Sequence, residues 1–218
     1  MKLIIPLILS IGLLTAMAQP ISKTERVTFL ALGDSYTIGE SVPEHERWPV
    51  QLAKLLQTKG YTIEEPRIIA TTGWRTDDLK GAIEKANLKN EYGLVSLLIG
   101  VNNQYQGKTV ESYKPEFEEL LKKAIELAGG RKDRVFVVSI PDYGFTPFGE
   151  PKREAISKAI DEFNQANREI TLRHGIRYYN ITGLTRKGLE NPGLVAPDKL
   201  HPSGIMYAQW AELIAKDF

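Results

Sequence analysis

The amino-acid sequence predicts an α/β fold, a three-layer α/β/α sandwich in which helices cover both faces of a five-stranded parallel sheet. Two observations lead to this prediction. Short runs rich in apolar and β-branched residues alternate five times with longer amphipathic runs along the chain, which is the pattern of repeated β-α units. The short runs are also apolar at nearly every position, as strands are when a sheet is buried on both faces.

Five short segments have the composition of buried strands. The first reads VTFLAL, the fourth reads RVFVVSI, and the third is continuously apolar. β-Branched and aromatic side chains favour strands because they pack well on a pleated, half-buried surface. The predicted strands span residues 27–32, 67–70, 94–99, 134–140 and 176–179.

Five longer segments have the periodicity of helices. In residues 155–173, Ile156, Ile160, Phe163 and Ile170 share one helical face and charged residues lie elsewhere, which predicts a helix with one buried side. Glycines follow several of these segments and predict where the helices end. The predicted helices span residues 48–58, 76–87 (capped by Thr76), 110–127, 155–173 and 203–215.

Composition and charge restrict the partners that the chain can have. The 218 residues carry 28 Lys and Arg against 27 Asp and Glu, a formal net charge of +1, and we expect no nucleic-acid partner because there is no basic stripe to neutralise phosphates. The sequence has no cysteine, which excludes disulfides, a cysteine nucleophile and thiolate metal sites. It also lacks metal-ligand spacings and a glycine-rich phosphate loop. We therefore expect neither a metal nor a cofactor.

The first 18 residues have the pattern of a secretory signal peptide. Lys2 supplies a positive charge, residues 3–14 are mostly apolar, and residues 16–18 (AMA) form a small-x-small cleavage site. The apolar run is shorter than the ~20 residues that a membrane-spanning helix needs. We therefore expect cleavage after Ala18, a single domain over residues 19–218, no stable membrane anchor, and a secreted or periplasmic protein.

Residues that can take part in nucleophilic catalysis follow several of the predicted strands. Ser35 comes soon after the first strand, Gly73 after the second and Asn102 after the third, while His201 precedes the last helix. Ligands of open α/β sheets bind at the carboxyl ends of the strands, so we expect these residues to converge at one edge. A serine hydroxyl there can act as a nucleophile once a base removes its proton. Taken alone, Ser35 is also consistent with a simple helix cap.

His201 is the histidine best placed to act as that base. Asp198 lies three residues earlier on the same predicted loop, and a carboxylate there can orient the imidazole and stabilise its charged form. By contrast, His45 lies between two glutamates and is expected to be solvated, and His174 lies at a helix end where a cation suits the dipole. Taken alone, Asp198 and His201 are also consistent with a pair that orders the loop.

An acyl-transfer site also needs hydrogen-bond donors where negative charge develops. Gly73 can offer its backbone N–H at close approach because it has no side chain, Asn102 can offer its side-chain amide, and Ser35 can offer its own N–H. Gly73 is equally consistent with a plain turn glycine. Together the three donors would form an oxyanion hole.

Four short blocks, taken in chain order, resemble those of the SGNH hydrolases, also called GDSL-type esterases and lipases. The blocks are GDS at residues 33–35, Gly73, G-x-N at residues 100–102 and D-x-x-H at residues 198–201. They extend over nearly the whole predicted domain. The resemblance implies a flavodoxin-like fold with strand order 2-1-3-4-5. It also implies a catalytic triad of Ser35, Asp198 and His201, with an oxyanion hole formed by Ser35, Gly73 and Asn102.

Two positions depart from the usual blocks of that family. Tyr36 stands where the family often has leucine, at a position that carries no chemistry. Asn103 stands where the third block often has an aspartate that supports the structure of the loop. The Asn102 donor is retained, so the exchange at Asn103 affects the support of that donor and not the donor itself.

Aromatic residues near these blocks are candidates for substrate binding, and they are equally consistent with packing of the loops. They are Trp74, Tyr105, Tyr143 and Phe145, together with Phe148, which shares the loop after the fourth predicted strand with Tyr143 and Phe145. The sequence thus predicts a serine esterase or lipase of short-chain acyl or lysophospholipid type, whose partner is a small-molecule, glycan or lipid ester. A carbohydrate O-deacetylase is the alternative within this class. A non-catalytic binder of carbohydrate or lipid on the same fold is the alternative outside it.

Overall fold

The structure is a computed structural model, and it describes residues 21–218 of the chain. The predicted signal peptide, residues 1–18, lies outside the described residues. Within the described part of the chain, no helix combines the length and the apolar character that crossing a membrane requires.

A five-stranded parallel sheet forms the centre of the fold. The strands of residues 21–218 are β1 (Arg26–Val27), β2 (Phe29–Gly33), β3 (Thr62–Ile63), β4 (Arg67–Ala70), β5 (Leu94–Leu98), β6 (Val135–Val138) and β7 (Arg177–Tyr179). The central sheet has the order β4-β2-β5-β6-β7 with every pair parallel, and β1 pairs with β3 in a separate two-stranded sheet. Numbered within the central sheet, the order is 2-1-3-4-5, which confirms the predicted flavodoxin-like sandwich.

Helices cover both faces of the central sheet. They are α1 (Ser35–Ile38), α2 (Trp48–Thr58), α3 (Thr76–Lys85), α4 (Val101–Tyr105), α5 (Val110–Leu127), α6 (Arg153–Arg173), α7 (Thr182–Thr185) and α8 (Gly204–Ile214). Helix α2 packs against α8, while α5 packs against α3 and α6. Strands β2, β5 and β6 are buried along their whole length, as expected for a sheet that is covered on each side.

The register of the strands aligns the loops that follow them. Gly33, the last residue of β2, lies opposite Ala70 in β4 and Leu98 in β5. These three strands therefore end at one level, and the segments that follow them meet at one edge of the sheet. At the other end of β2, the ring of Phe29 lies 6.4 Å from that of Trp48 on α2, so aromatic packing anchors the sheet to its helical layer.

Every predicted element is present, with ends that differ from the predicted ones by at most two residues. The first predicted strand breaks at Thr28, whose hydroxyl accepts the Gly93 N–H at 3.0 Å. Helix α3 begins at Thr76, and its cap residue is Arg75, whose N–H donates to the side chain of Asp78. Helices α1, α4 and α7 were not predicted because four or five residues are too few to reveal a helical period.

Candidate active site

Ser35 is the first residue of α1 and follows β2 after a single residue. The turn between them is tight, since a Cβ on Gly33 would lie 2.1 Å from the Thr37 hydroxyl oxygen, and only glycine avoids this clash. Asp34 is the N-cap residue, and its carboxyl group accepts the Tyr36 N–H at 3.0 Å. The Ser35 N–H lies in the first helical turn, where N–H groups have no acceptor within the helix.

His201 and Asp198 form a hydrogen-bonded pair. His201 Nδ1 lies 2.6 Å from Asp198 Oδ2, and the same oxygen accepts the Ser41 hydroxyl at 2.6 Å. The other carboxylate oxygen accepts the backbone N–H groups of Leu200 and His201, both at 2.9 Å. Partial burial raises the pKa of Asp198, but the hydrogen bonds outweigh it and lower the pKa to about 2. Asp198 is therefore ionised near neutral pH, and the Nε2 atom of His201 remains to exchange a proton.

The candidate nucleophile and the candidate base are both buried. Ser35 and His201 are 4% and 7% exposed. The ring of Tyr36, the residue after Ser35, lies 5.2 Å from the His201 ring between centroids. Within residues 21–218 the hydrogen bond of the His201 ring runs to Asp198 and none joins it to the Ser35 hydroxyl. Such contacts are often long in free enzymes and tighten when substrate binds.

The other two oxyanion-hole candidates follow β4 and β5. Gly73 has φ = +83°, a conformation that glycine adopts without strain, and its N–H has no acceptor within residues 21–218. Asn102, on α4, donates an amide hydrogen to the Trp74 carbonyl oxygen at 2.9 Å. Because an amide nitrogen carries two hydrogens, the second remains for a substrate oxygen. The contact with Trp74 also fixes the amide beside the Gly73 turn.

The chain between β2 and α8 matches a known protein family. The model of the GDSL-like lipase/acylhydrolase family fits residues 31–209, a span that holds every candidate catalytic and oxyanion-hole residue. The chain belongs to this family. It is therefore an ester-hydrolysing enzyme. Among curated proteins, none matches the chain.

Solved structures of lipolytic proteins share the fold of this acylhydrolase. The lipase/acylhydrolase from Enterococcus faecalis is 20% identical, with 88% of this chain and 94% of that chain covered and a TM-score of 0.65. The acetyl xylan esterase AlAXEase is 17% identical, with coverages of 88% and 99% and a TM-score of 0.70. Phospholipase A1 from Streptomyces albidoflavus NA297 is 18% identical, with coverages of 88% and 99% and a TM-score of 0.65. Identities this low establish a common fold alone.

Asn103, which departs from the usual block of the family, fastens α4 to α3. Its side chain is buried. The carbonyl oxygen accepts the Thr76 N–H at 3.2 Å, and the amide nitrogen donates to the Thr76 hydroxyl oxygen at 2.6 Å. Thr76 in turn hydrogen-bonds with Glu116 on α5, whose Oε2 lies 3.4 Å from the Asn103 amide nitrogen. An asparagine thus supports the loop beside Asn102, while the acid of this network lies at Glu116.

Replacing Asn103 by aspartate is expected to destabilise this acylhydrolase by about 2 kcal/mol. A carboxylate oxygen would stand where the amide nitrogen now faces Glu116, and the single Thr76 hydroxyl hydrogen could satisfy only one of the two acids. Adding Glu116→Gln supplies a new donor, so the double variant should recover most of the loss. Urea unfolding of both single variants and the double variant measures this coupling. An N103D protein as stable as the wild type would contradict it.

Three aromatic side chains, two of them exposed, form a cluster beside the candidate site, which we call the aromatic patch. Its members are Tyr105, Tyr143 and Phe148, with ring centroids 6.1 to 6.5 Å apart. Tyr105 is 59% and Phe148 49% exposed, whereas Tyr143 is buried beneath them. The Tyr143 hydroxyl donates to the Gln104 side-chain oxygen at 2.9 Å, which ties the loop after β6 to α4.

Phe145 and Trp74 lie apart from the aromatic patch. The guanidinium groups of Arg153 and Arg186 lie 5.5 and 6.0 Å from the centroid of the Phe145 ring, so this ring packs against its own surroundings. Trp74 is half-buried against the hydrophobic core. Of the five aromatic residues considered in the sequence, the structure brings Tyr105, Tyr143 and Phe148 together.

Sequence reasoning missed Ser41 and Glu116 as neighbours of the candidate site. Ser41 and Asp198 are 157 residues apart, and Glu116 lies on the face of an amphipathic helix that the sequence pattern assigns to solvent. No local motif marks such partners.

Proposed function

We propose that this acylhydrolase hydrolyses carboxylic esters through an acyl-enzyme formed on Ser35. The observation that carries the proposal is the His201–Asp198 pair. Its 2.6 Å contact at Nδ1 leaves Nε2 available at the sheet edge where Ser35 begins α1. Because Asp198 is ionised, it stabilises the imidazolium that forms when His201 takes a proton.

The reaction proceeds in two halves. Ser35 Oγ attacks the ester carbonyl carbon while His201 Nε2 takes the hydroxyl proton, and a tetrahedral intermediate forms. Its oxyanion accepts hydrogen bonds from the backbone N–H groups of Ser35 and Gly73 and from the Asn102 amide. When the carbon–oxygen bond breaks, His201 gives its proton to the leaving alcohol. Water then attacks the acyl-enzyme by the same steps and releases the acid.

A small cavity lies beside His201. Its lining includes Tyr36, Leu194 and Met206 but not Ser35, Gly73 or Asn102, and about 20 Å³ of it is free. That volume accommodates roughly one water-sized or methyl-sized group. We take esters of short acids as the first substrate class from the family resemblance, and a panel of esters tests this choice.

A carbohydrate O-deacetylase is the second candidate, and the aromatic patch favours it. Exposed tyrosine and phenylalanine rings beside polar amides suit the apolar faces and hydroxyl edges of a sugar. The acetyl xylan esterase with the same fold is a precedent for such a substrate. An alcohol that carries a phosphate is a less suitable substrate, because the Arg75 guanidinium that would bind the phosphate is already paired. It donates hydrogen bonds to both carboxylate oxygens of Asp77, at 2.9 and 2.7 Å.

Labelling with a fluorophosphonate tests the proposed nucleophile. The reagent phosphonylates an activated serine, so wild-type protein should take up one label per chain on the peptide that contains Ser35. The Ser35→Ala variant should take up none, and Ser112→Ala, which removes an exposed hydroxyl that donates to the Thr109 carbonyl oxygen, should label like the wild type. A folded wild-type protein that remains unlabelled would contradict an activated serine at Ser35.

A panel of esters separates the substrate candidates. Rates on p-nitrophenyl acetate, butyrate and octanoate report the acyl length, while acetylated xylan and a lysophospholipid represent the two natural alcohol classes. A decline in rate from acetate to octanoate supports the short-acyl proposal. Faster release of acetate from acetylated xylan than from p-nitrophenyl acetate supports the deacetylase.

A further inference from the structure

The loop after α1 contacts the candidate triad at Asp198. Ser41 on this loop donates its hydroxyl hydrogen to Asp198 Oδ2 at 2.6 Å, and the same oxygen faces His201 Nδ1 at 2.6 Å. Ser41 lies three residues after the end of α1, the helix that begins with Ser35. The contact therefore joins the element that carries the proposed nucleophile to the loop that carries the proposed base.

The backbone of this loop is held in an uncommon conformation. Ser41 has φ = +65°, in the left-handed region that residues with a side chain rarely adopt. Strained residues of this kind persist where the surrounding structure requires them, and they concentrate at functional sites. Glu40, the preceding residue, donates its N–H to the Ser35 carbonyl oxygen at 3.0 Å, and its carboxylate hydrogen-bonds with the Thr72 hydroxyl beside Gly73. The loop is thus fastened both to the nucleophile helix and to the oxyanion turn.

We propose that Ser41 is a positioning residue, which holds Asp198 Oδ2 and thereby keeps the His201 ring aligned with Ser35. The proposal rests on the ester hydrolysis proposed above. Two backbone N–H groups hold Oδ1 of Asp198 from its own loop, and this oxygen can act as a pivot about which Oδ2 moves. The Ser41 hydroxyl, which belongs to a different loop, holds Oδ2 and prevents this movement. A displacement of about 1 Å in a catalytic group is enough to reduce a rate severely.

Two substitutions distinguish the effect of the Ser41 hydroxyl from the effect of its backbone conformation. Ser41→Gly removes the hydroxyl and suits φ = +65° better than serine does. Ser41→Ala removes the same hydroxyl but keeps a Cβ in the unfavourable conformation. We expect both variants to lower kcat by about tenfold with KM within about twofold of the wild type, because alignment of the reacting groups is impaired and substrate binding is not. Ser112→Ala removes an exposed serine hydroxyl that bonds to Thr109; it is the matched control and should leave both constants unchanged.

A spectroscopic readout tests the same contact independently of activity. The sequence contains three histidines, so the ring N–H signals of ¹⁵N-histidine-labelled protein can be assigned by substitution. In both Ser41 variants the His201 Nδ1–H should exchange faster with water, and its signal should weaken, because the Asp198 carboxylate is no longer held. His174 provides an internal reference, since its Nε2 contacts Glu118 Oε1 at 2.8 Å away from this loop, and its signal should not change.

The outcomes are distinct for Ser41 and for the nucleophile. Equal losses of kcat in the glycine and alanine variants, together with weakening of the His201 signal, support the positioning role. If Ser41→Gly keeps the wild-type kcat and the wild-type His201 signal, the positioning role is wrong. Any loss of kcat in Ser41→Ala would then come from the strained backbone conformation of the loop and not from the missing hydroxyl. Should Ser35 fail to label and no ester be cleaved, the His201 signal in Ser41→Gly still decides whether Ser41 holds the pair.

Discussion

Replacing Ser35 by alanine is expected to lower kcat/KM for the best ester substrate by about a thousandfold or more. Without Oγ no acyl-enzyme can form, and the remaining rate reflects the oxyanion donors and substrate binding alone. The loss should fall on kcat, because the hydroxyl forms its bond to the substrate only as the reaction proceeds. The neighbouring Gly73 N–H and Asn102 amide are untouched by this change, so KM should move little.

The measurement is a set of initial rates on short-chain p-nitrophenyl esters for wild type and Ser35→Ala, prepared and purified in parallel. Ser35 contributes a small side chain at the start of a helix, and its hydroxyl has no partner within residues 21–218. The variant should therefore unfold at the same urea concentration as the wild type. If Ser35→Ala retained more than about a tenth of the wild-type rate, another residue would have to be the nucleophile, and the two-step mechanism would be wrong.

The sheet and the acid–base pair could be predicted from sequence because their determinants are local. Each buried strand is a continuous apolar run, and in a parallel sheet every such run must end at the same edge. Asp198 and His201 are three residues apart, and a carboxylate at that spacing can accept the N–H groups of its own turn, as Oδ1 does from Leu200 and His201. The order of the strands came from the family resemblance and not from these patterns.

The contacts that support the site could not be predicted, since they join segments that are distant along the chain. Ser41 reaches Asp198, and Glu116 on α5 reaches Thr76 on α3. Nothing in the local sequence distinguishes these side chains from solvated ones. The sequence also leaves open which aromatic residues form the patch, because side-chain direction within the loop after β6 decides that Phe148 joins it while Phe145 lies near two arginines.

Asp34, the residue before the candidate nucleophile, is expected to make the stability of the protein fall as pH rises. Its side chain is completely buried. Oδ1 accepts the Tyr36 N–H at 3.0 Å, whereas Oδ2 has no hydrogen-bond partner within residues 21–218. Burial, opposed only in part by the bond from Tyr36, raises the pKa of Asp34 from 3.8 to about 7. The folded protein therefore keeps the carboxyl neutral at pH values where the unfolded chain has ionised it.

The sign of the effect follows from proton binding. Between about pH 4 and pH 7 the folded state binds more protons at this group than the unfolded state does, so the free energy of unfolding decreases with rising pH. Each unit of pKa difference corresponds to about 1.4 kcal/mol, and the whole interval therefore amounts to on the order of 4 kcal/mol. The contribution of the neutral Asp34 carboxyl to stability is fully present below the pKa that Asp34 has in the unfolded chain. It is lost once the pH rises past the pKa of about 7 that Asp34 has in the folded protein.

Asp34→Asn should abolish this dependence, because the amide keeps an oxygen for the Tyr36 N–H and has no charge to bury. Urea unfolding at pH values from about 4 to 8 should give a variant whose stability, relative to the wild type, increases with pH by on the order of 4 kcal/mol. Thr37→Val is the control, since the Thr37 hydroxyl is likewise buried without a partner in the described chain but does not titrate, and its effect should be equal at every pH. A constant difference between Asp34→Asn and the wild type would mean that the folded protein already holds Asp34 as a carboxylate. The tight turn at the nucleophile would then bury a charge at full cost, and the hydrogen bond from Tyr36 would have to stabilise that charge far more than a single N–H ordinarily does.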